Sequence, residues 1–335
     1  MKMILVLAIS VFLALYFSKS YSVEATRDND NQVEAEKLLR QAEELTDIRS
    51  SGSHAFRLAT RVKLFDEKGQ PREGTYDLLW KSPTDWQDKL RVEDFSQVRT
   101  AAVDKLFVSR STPSLSLEDF QLLKLLEFPN LLRFSPDAKA QKLRERTRNG
   151  LRERTIEVAL PERSPWKVIS LDVSSPTPTR VEYKNSHFGY QFENYVAFNG
   201  HQFPRTLTEF DSNKPLIQVQ VQELTDATMN ESPFTPSPDA RWLHWCSRPE
   251  HATPLDVGKV RPNPWPVGNG ALKSPVAIYG VIGTDGKWHN LTVVKSAGKR
   301  VDSYWMDGLL QERFSPARCG EVLVEEESVM EFHLP

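Results

Sequence analysis

The segment from Val276 to Leu334 constrains the fold more than any other part of the sequence. Two runs rich in β-forming residues, PVAIYGVIG and WHNLTVVKS, flank the turn Thr284-Asp285-Gly286-Lys287. Asp-Gly between two such runs is typical of a β-hairpin, because glycine accepts the left-handed backbone that tight turns require. We therefore predict two antiparallel strands in this segment.

A helix and a further strand are predicted after the hairpin. Val301, Trp305 and Leu309 recur at four-residue spacing, which indicates an amphipathic helix, with Asp302 placed to cap its first turn. The closing segment, Val322 to Leu334, ends in EESVMEFHL, whose side chains alternate as in a half-buried strand. The predicted order is strand, turn, strand, helix, strand.

The phrases DGKWHNLTVVKSAG and LLQERFSPARCGE, followed by the closing strand, resemble the C-terminal domain of TonB, the periplasmic end of the energy transducer. The resemblance covers residues 270–335, about a fifth of the chain. It implies a small ββαβ domain that binds a segment of an outer-membrane receptor by adding it as a strand at an open sheet edge. The edge residues that it indicates are Val322, Val324, Glu326, Val329 and Glu331.

An acidic run, Glu325-Glu326-Glu327, flanks that predicted edge. If a peptide adds to the edge, these carboxylates would lie beside it. Charged side chains also protect free sheet edges against aggregation. The sequence leaves both interpretations open.

The N-terminus has the pattern of a secretory signal peptide over residues 1–25. Met1-Lys2-Met3 precedes the apolar run Ile4 to Phe17, and Ala25 stands in a small-residue cleavage position. A helix of that run rises only about 21 Å, less than the roughly 30 Å hydrocarbon core of a bilayer. Cleavage and a periplasmic location are therefore predicted, the alternative being an uncleaved inner-membrane anchor. Ser10 is followed four residues later by Ala14, which departs from the Ser-x-x-x-His pattern of TonB and puts coupling to a membrane motor in doubt.

The chain contains two cysteines, Cys246 and Cys319. In an exported chain an even count most simply indicates one disulfide. The competing interpretation makes His244, Cys246 and His251 metal ligands. Their proline-rich stretch offers no regular element to hold such a cluster, so we predict the disulfide and no metal site.

A Pro-rich linker is predicted at residues 231–269. Eight prolines lie between Pro233 and Pro266, a composition that favours extended chain over a packed core. Exposed indoles are uncommon in free linkers, so Trp242, Trp245 and Trp265 indicate that part of this stretch packs on a domain.

Residues 26–230 predict a first domain, because 335 residues exceed what one core usually encloses. The domain opens with an amphipathic helix whose apolar stripe is Ala35, Leu38, Ala42 and Leu45. Short β-type runs follow, separated by turns, and they predict an antiparallel meander. A helical insert, LEDFQLLKLLEFPNLLRF, interrupts it before strands resume.

This order resembles the LolA and LppX-like group, periplasmic half-barrels that hold lipid or lipoprotein tails. The opening helix, LLWKSPTDWQDKLRV and VAFNGHQFPRTLTEF carry the resemblance, over residues 30–228. The predicted fold class is thus α+β: an antiparallel half-barrel sheet with N-terminal and inserted helices, then the TonB-like domain. The group implies an apolar cleft for acyl chains, and the insert's candidates for lining it, or simply for packing in the core, are Leu122, Leu125, Leu126, Phe128, Leu131 and Leu132.

No enzyme motif stands out in the sequence. There is no phosphate-binding glycine loop, Gly-x-Ser-x-Gly turn, His-Glu-x-x-His helix or repeated Cys-x-x-Cys, so we predict no catalytic residues and no cofactor. The basic run Lys142 to Thr155 fits either anionic lipid headgroups or a partner's acidic face, or a hairpin whose arginines face water. A net charge of -2 argues against nucleic acid.

The sequence predicts a non-enzymatic periplasmic binding protein. In the leading hypothesis the TonB-like domain contacts an outer-membrane or envelope protein by strand addition. The alternative is a lipid or lipoprotein carrier, or sensor, that uses the N-terminal half-barrel.

Overall fold

A computed structural model of the chain describes residues 31–50, 52–66, 68–133, 138–159, 166–184, 187–228, 234–247, 249–255 and 275–332. The predicted signal peptide lies outside these ranges, as do residues 231–233, 248 and 256–269 of the predicted linker, including Trp265. None of the helices in the described part is long and apolar enough to cross a membrane.

The described chain contains three α-helices, one 3-10 helix and twenty strands. The α-helices are α1 (31–46), α2 (Leu117–Leu126) and α3 (Lys299–Gln311), and the 3-10 helix spans Phe128–Leu132. The strands are β1 (Phe56–Phe65), β2 (Pro71–Ser82), β3 (Asp85–Val92), β4 (Phe95–Ala102), β5 (Lys105–Arg110), β6 (Lys139–Arg148), β7 (Leu151–Ala159), β8 (Lys167–Asp172), β9 (Pro178–Tyr183), β10 (Phe188–Phe198), β11 (His201–Asp211), β12 (Lys214–Asp226), β13 (Arg241–His244), β14 (Thr253–Pro254), β15 (Val276–Ile282), β16 (Trp288–Lys295), β17 (Phe314–Ser315), β18 (Arg318–Cys319), β19 (Val322–Leu323) and β20 (Glu326–Phe332).

The chain forms two compact units. Unit 1 comprises the residues up to Asp47, Phe128–Pro204 and Glu209–Lys214, and unit 2 comprises Ile48–Glu127, Arg205–Thr208 and Pro215–Pro335. Strand β11 contributes residues to both.

Unit 2 contains an antiparallel meander in the order β13-β5-β4-β3-β2-β1-β12. Buried and more exposed residues alternate along β1, so one face of this sheet carries the core. Ser116 is the N-cap of α2, and its hydroxyl accepts a 3.0 Å hydrogen bond from the backbone N–H of Asp119. The inserted helices are thus present as predicted, and the second one is a 3-10 turn that contains Pro129, which lacks the N–H an α-helix would use.

Unit 1 contains α1, the 3-10 helix and an antiparallel run in the order β10-β9-β8-β7-β6. The buried apolar residues of α1 are Ala35, Leu38, Leu39 and Ala42. The predicted stripe is confirmed except at Leu45, which is only half-buried and is replaced by Leu39.

The C-terminal part of unit 2 forms a three-stranded antiparallel sheet in the order β16-β15-β20. Every residue of β15 is buried, and α3 packs on the sheet with Val301 and Leu309 inward. The predicted cap by Asp302 was wrong, because Gly298 occupies the N-cap of α3 without a side-chain hydrogen bond; the Asp302 carboxylate in the first turn instead accepts a 2.9 Å hydrogen bond from the N–H of Ala297. The fold class is therefore α+β and mostly antiparallel, as predicted, and the order strand, strand, helix, strand is present at the C-terminus.

Candidate functional site

The six residues predicted to line a cleft lie on two helices. Leu122, Leu125 and Leu126 belong to α2 of unit 2, and all three are buried. In unit 1 the 3-10 helix carries the other three, of which Phe128 and Leu132 are buried and Leu131 is half-buried. Their role in lining a ligand site stays a prediction.

The ring of Phe128 packs on the unit 1 strands. Its centroid lies 5.1 Å from that of Phe192 and 5.5 Å from that of Phe203. On the neighbouring strands β7, β8 and β9, Ile156, Ile169 and Val181 stand opposite one another in register and are fully buried. We call the sheet face that bears these three residues the inner face of unit 1.

Lys167 is a buried basic residue on this inner face. It stands in register with Val158 on β7 and with Tyr183 on β9, and it is only 3% exposed. Among the described residues no carboxylate pairs with it, and its Nζ donates a 3.0 Å hydrogen bond to the carbonyl oxygen of Arg133. Burial lowers the pKa of Lys167 to about 7, because the charged amine has lost its water.

Arg133 connects the end of the 3-10 helix to α1 and to the sheet. Its guanidinium Nε donates a 2.7 Å hydrogen bond to Glu43 Oε1 on α1, while its carbonyl oxygen accepts the bond from Lys167. Helix α1 is also joined to β11, because His201 Nδ1 lies 3.0 Å from the carbonyl oxygen of Glu44. We call α1 and the 3-10 helix together the helical cap of unit 1.

Aromatic side chains surround Lys167. Its Nζ lies 5.6 Å from the ring centroid of Trp166, which stacks on Tyr183 at 5.7 Å. The indole Nε1 of Trp166 is buried and has no hydrogen-bond partner among the described residues. Burial, with the nearby carboxylate of Glu209, raises the pKa of Tyr183 to about 12, so its hydroxyl stays protonated near neutral pH. Sequence reasoning missed this cluster, because Lys167 at the start of WKVISLDV has the pattern of a solvent-facing residue.

The basic run from Lys142 to Thr155 forms the β6–β7 hairpin, with Asn149 and Gly150 in left-handed backbone at its turn. Arg152 and Arg154 pair with Glu145 at 2.9 and 3.2 Å. Arg146 and Arg148 instead line a cleft in unit 1. The hairpin is therefore present, but part of its charge lies in a concave site rather than on an open surface.

The predicted C-terminal edge is divided between two strands. Val322 is 66% exposed and lies in β19, which pairs with β18, while Glu326, Val329 and Glu331 lie in β20. Val324 falls between the two strands; it is buried, and its N–H donates a 2.9 Å hydrogen bond to the carbonyl oxygen of Ala317. The predicted continuous strand from Val322 was wrong, because this internal hydrogen bond and the β18–β19 turn occupy its first residues. Strand β20 is nevertheless an outer strand of its sheet.

The three glutamates of the acidic run all make contacts within unit 2. The carboxylate of Glu325 accepts a 3.0 Å hydrogen bond from the N–H of His244, and that of Glu326 accepts one of 2.7 Å from the N–H of Ala252. Glu326 also lies 2.9 Å from Nδ1 of His251, a hydrogen bond that raises the pKa of this largely exposed histidine. These carboxylates thus attach the start of β20 to residues 244–252.

Glu327 is the most enclosed of the three. Its carboxylate accepts hydrogen bonds from Arg110 at 2.5 and 2.9 Å, from the Tyr279 hydroxyl at 2.5 Å, and from Arg241. The Glu327 side chain is 13% exposed and that of Arg110 is 3% exposed. Burial alone would raise the pKa of Glu327, but the two guanidiniums outweigh burial and hold it below its usual value.

Cys246 and Cys319 form a disulfide, as predicted, with their Cα atoms 6.3 Å apart. A disulfide sulfur is not a thiolate ligand, so the metal interpretation that included Cys246 is wrong. In the described part of the chain no group of His, Cys, Asp and Glu side chains could hold a metal ion. The described part of the predicted linker packs on unit 2, because β13 pairs with β5 and the ring of Trp245 lies 5.5 Å from that of Trp86.

A buried polar network lies at the end of α2 in unit 2. Asp88 accepts a hydrogen bond from the Tyr76 hydroxyl at 3.1 Å and two-pronged bonds from Arg99, which also reaches Glu127 at 3.2 Å. Arg49 donates to the Tyr76 hydroxyl at 3.2 Å. Sequence reasoning missed this network because its five members come from five separate segments of the chain. Each of these polar groups has a partner, so we assign the network to fixing the end of α2.

No family model matches the chain, and no curated protein matches it. Solved structures to which it is similar include a LolA superfamily protein from Nitrosomonas europaea, at 13% identity and a TM-score of 0.38, over 60% of this chain and 97% of that chain. A DUF1329 family protein from Desulfovibrio piger has 9% identity and a TM-score of 0.40, over 61% and 97% of the two chains. A chain of the Pseudomonas aeruginosa MucA/MucB complex has 12% identity and a TM-score of 0.26, over 67% and 69%. None of these three is a TonB domain, and similarities of this size assign no activity.

Proposed function

We propose that the protein is an envelope lipid-binding protein that carries an anionic acyl ligand, free or as part of a lipoprotein, on the inner face of unit 1. The observation that carries this proposal is Lys167, a buried amine on the same sheet face as the fully buried Ile156, Ile169 and Val181. An apolar surface with one cationic group matches a ligand that has a hydrocarbon chain and one anionic group.

The hydrocarbon chain supplies most of the binding free energy in this proposal. Burying each methylene is worth about 0.8 kcal/mol, so ten buried methylenes give about 8 kcal/mol before the cost of moving protein groups. The groups that must move are Phe128 and Leu132 of the helical cap, since the Phe128 ring packs directly on Phe192 and Phe203. The ligand therefore replaces cap side chains rather than filling an empty cavity.

Lys167 links ligand binding to opening of the cap. Its hydrogen bond to the carbonyl oxygen of Arg133 holds the end of the 3-10 helix against the sheet. A carboxylate or phosphate is a stronger acceptor for an ammonium group than a carbonyl oxygen. An incoming anion would displace Arg133 from Lys167 and release the cap at the same step.

The proposed location is the periplasm. The predicted signal peptide supports export, and the Cys246–Cys319 disulfide is the kind of bond that persists in oxidising compartments. We propose no catalytic step, because the inner-face cluster combines one buried amine with aromatic groups and holds no paired nucleophile and base among the described residues.

A fluorescent long-chain fatty acid and its methyl ester together test this function. The wild type should bind the acid more tightly than the ester, because only the acid offers an anion to Lys167. Lys167→Met should bind the acid about tenfold more weakly and no longer distinguish the two probes, a loss of about 1.4 kcal/mol. The matched control is Lys139→Met, which removes an exposed lysine of the same unit and should change neither affinity.

Two results would count against the proposal. One is failure of the wild type to take up either probe, together with no lipid in extracts of protein purified from its own envelope. The other is equal binding of the acid by wild type and Lys167→Met, which would remove the role of the amine.

Strand addition at β20 is the second candidate function. It is favoured by the position of β20 as the outer strand of the β16-β15-β20 sheet. The start of β20 is attached to residues 244–252 through Glu325 and Glu326, so the proposed docking edge is limited to Ser328–Phe332. The partner would be an extended segment of an outer-membrane or envelope protein.

Neighbouring proline substitutions test this edge, because successive residues of an antiparallel strand direct their N–H groups to opposite sides. Proline has no backbone N–H, so each variant removes one N–H from β20. In one of Met330→Pro and Glu331→Pro the lost N–H is bonded to β15, and in the other it points away from β15 toward the proposed partner. The variant with the smaller loss of thermal stability should lose co-isolation of a partner from solubilised outer membranes. Retained co-isolation in that variant would exclude this edge. Val324→Pro is unsuitable, because it would remove the internal bond to Ala317.

A further inference from the structure

The second face of the unit 1 sheet carries a cleft of about 400 Å³. Successive strand residues point to opposite faces, so Val168 lies on the face opposite to Lys167. Val168 stands in register with Glu182, and both line the cleft. Arg146, Arg148, Arg180, Lys184, His187 and Phe210 also line it.

Three guanidiniums converge on one carboxylate in this cleft. Oxygens of Glu182 lie 3.7 Å from Arg146 Nη2, 3.4 Å from Arg148 Nη1 and 2.8 Å from Arg180 Nε. Arg146 has a second acidic partner, Glu153, at 3.1 Å. Arg148 and Arg180 are left to share Glu182, so the cleft carries more positive than negative charge.

Arg180 is fixed in place and under-paired. Its side chain is 11% exposed, and its guanidinium carbon lies 3.9 Å from the ring centroid of Phe210. Phe210 reaches this position because Gly189 has no side chain; a Cβ there would lie 2.6 Å from the ring. The Arg180 Nη1 donates a 3.3 Å hydrogen bond to Gln191 Oε1, whereas its Nε, although close to Glu182, makes no well-aligned hydrogen bond with any described residue. Burial first, and then repulsion by Arg148, lowers the pKa of Arg180 despite the attraction of Glu182.

Accessible cations surround this fixed guanidinium. Arg148 and Lys184 are each about one-third exposed, and His187 is exposed, so a ligand can reach them from solvent. Planar guanidiniums bind phosphate and carboxylate oxygens through paired N–H groups. An anion in the cleft would supply the second negative charge that Arg148 and Arg180 lack.

We propose that this cleft is a separate binding site for a phosphate or carboxylate group, on the face of the sheet opposite to the acyl site. The same chemistry is offered by a free anion and by the headgroup of an anionic lipid. The site does not depend on the acyl-binding function, because none of its charged groups is on the inner face.

The experiment uses the full chain and two probes. Inorganic phosphate is titrated by calorimetry, and co-sedimentation is measured with vesicles of phosphatidylcholine alone or mixed with phosphatidylglycerol. Arg148→Gln should weaken phosphate binding about tenfold, and Lys184→Gln should weaken it less, because Lys184 is already paired with Glu157 at 2.9 Å. The matched control is Arg152→Gln, in the same hairpin but outside the cleft, which should bind as the wild type does.

The two arms separate the sources of the anion. Phosphate binding without preference for the anionic vesicles identifies a soluble anion, and binding to those vesicles that Arg148→Gln reduces identifies a headgroup. The proposal is overturned if the wild type binds neither probe, or if Arg148→Gln and Arg152→Gln bind both probes equally. Binding of the fluorescent fatty acid should be unchanged in Arg148→Gln, so this result is independent of the test at Lys167.

Discussion

Replacing Glu327 by glutamine should destabilise unit 2 far more than the same change elsewhere on β20. The carboxylate of Glu327 is bound by Arg110, Arg241 and the Tyr279 hydroxyl. Glutamine keeps one acceptor oxygen but loses the charge. The guanidinium of Arg110, which is 3% exposed, would remain buried without a counter-charge.

The magnitude follows from this uncompensated charge. Removing one partner of a buried ion pair costs about 3–5 kcal/mol, and the retained amide oxygen favours the lower end, about 3 kcal/mol. For a cooperative unit of this size each kcal/mol lowers the melting temperature by about 2–4 °C, so a decrease of about 6–12 °C is expected. The matched control, Glu331→Gln, disrupts a partly exposed pair with Lys295 at 3.8 Å and should cost less than about 1 kcal/mol.

Differential scanning calorimetry at several pH values checks both the size and the cause. Because the pKa of Glu327 is lowered in the folded state, its contribution is fully present above the unfolded pKa and is lost as pH falls through the folded pKa. The gap between wild type and Glu327→Gln should therefore be constant near neutral pH and narrow in acid. Equal melting temperatures for Glu327→Gln and Glu331→Gln at pH 7 would refute the reasoning.

Three further predictions concern the disulfide, the hairpin and a histidine. Reducing the bond between Cys246 and Cys319, which are 73 residues apart, should lower stability by at most about 4 kcal/mol in the loop-entropy model; an unchanged melting temperature in reductant would contradict this. Gly286→Ala should cost about 1–3 kcal/mol in denaturant unfolding, since φ is +69° and an added Cβ would collide with a backbone oxygen; wild-type stability would show that the turn can relax. NMR titration should give His251 a pKa above its ordinary value, and this pKa should fall in Glu326→Gln. The small stabilising effect of the His251–Glu326 pair is therefore present at low pH and lost as pH rises through the folded pKa of His251. Identical titration curves for the two proteins would exclude the pairing.

The C-terminal element order could be predicted because each element has a local signal. The Asp285-Gly286 turn, the four-residue spacing of α3 and the alternation in β20 depend on nearby residues only. The roles of the glutamates had no such signal, because Glu327 meets Arg110, which is 217 positions away in the chain. The sequence does not distinguish a strand edge that is open to a partner from one that is held by contacts within its own unit, and only the fold distinguishes the two.

The candidate ligand groups were beyond sequence reasoning for a similar reason. Lys167 follows a tryptophan and precedes an apolar run, so it has the pattern of a solvent-facing residue at the start of a strand. Its burial depends on the carbonyl oxygen of Arg133, which a separate helix brings to it. The basic run of β6 and β7 was visible, but its division between an open hairpin and a cleft depends on Arg180 from β9. The composition of both candidate sites therefore depends on contacts between elements that are far apart in the sequence.

A double-mutant cycle tests whether the two faces of the unit 1 sheet act separately. Lys167 and Val168 are consecutive, so the acyl site and the anion cleft lie on opposite sides of one strand, and no hydrogen bond or ion pair joins Lys167 to Arg148 among the described residues. Effects of substitutions at sites that share no partner add to within about 0.3–0.5 kcal/mol. For a ligand confined to one face, the double variant Lys167→Met with Arg148→Gln should match the relevant single variant in fatty-acid or phosphate binding. If a single ligand reaches both faces, each substitution alone should weaken the binding of that ligand. A coupling free energy of 1 kcal/mol or more between the two substitutions would then show one shared site in place of two independent sites.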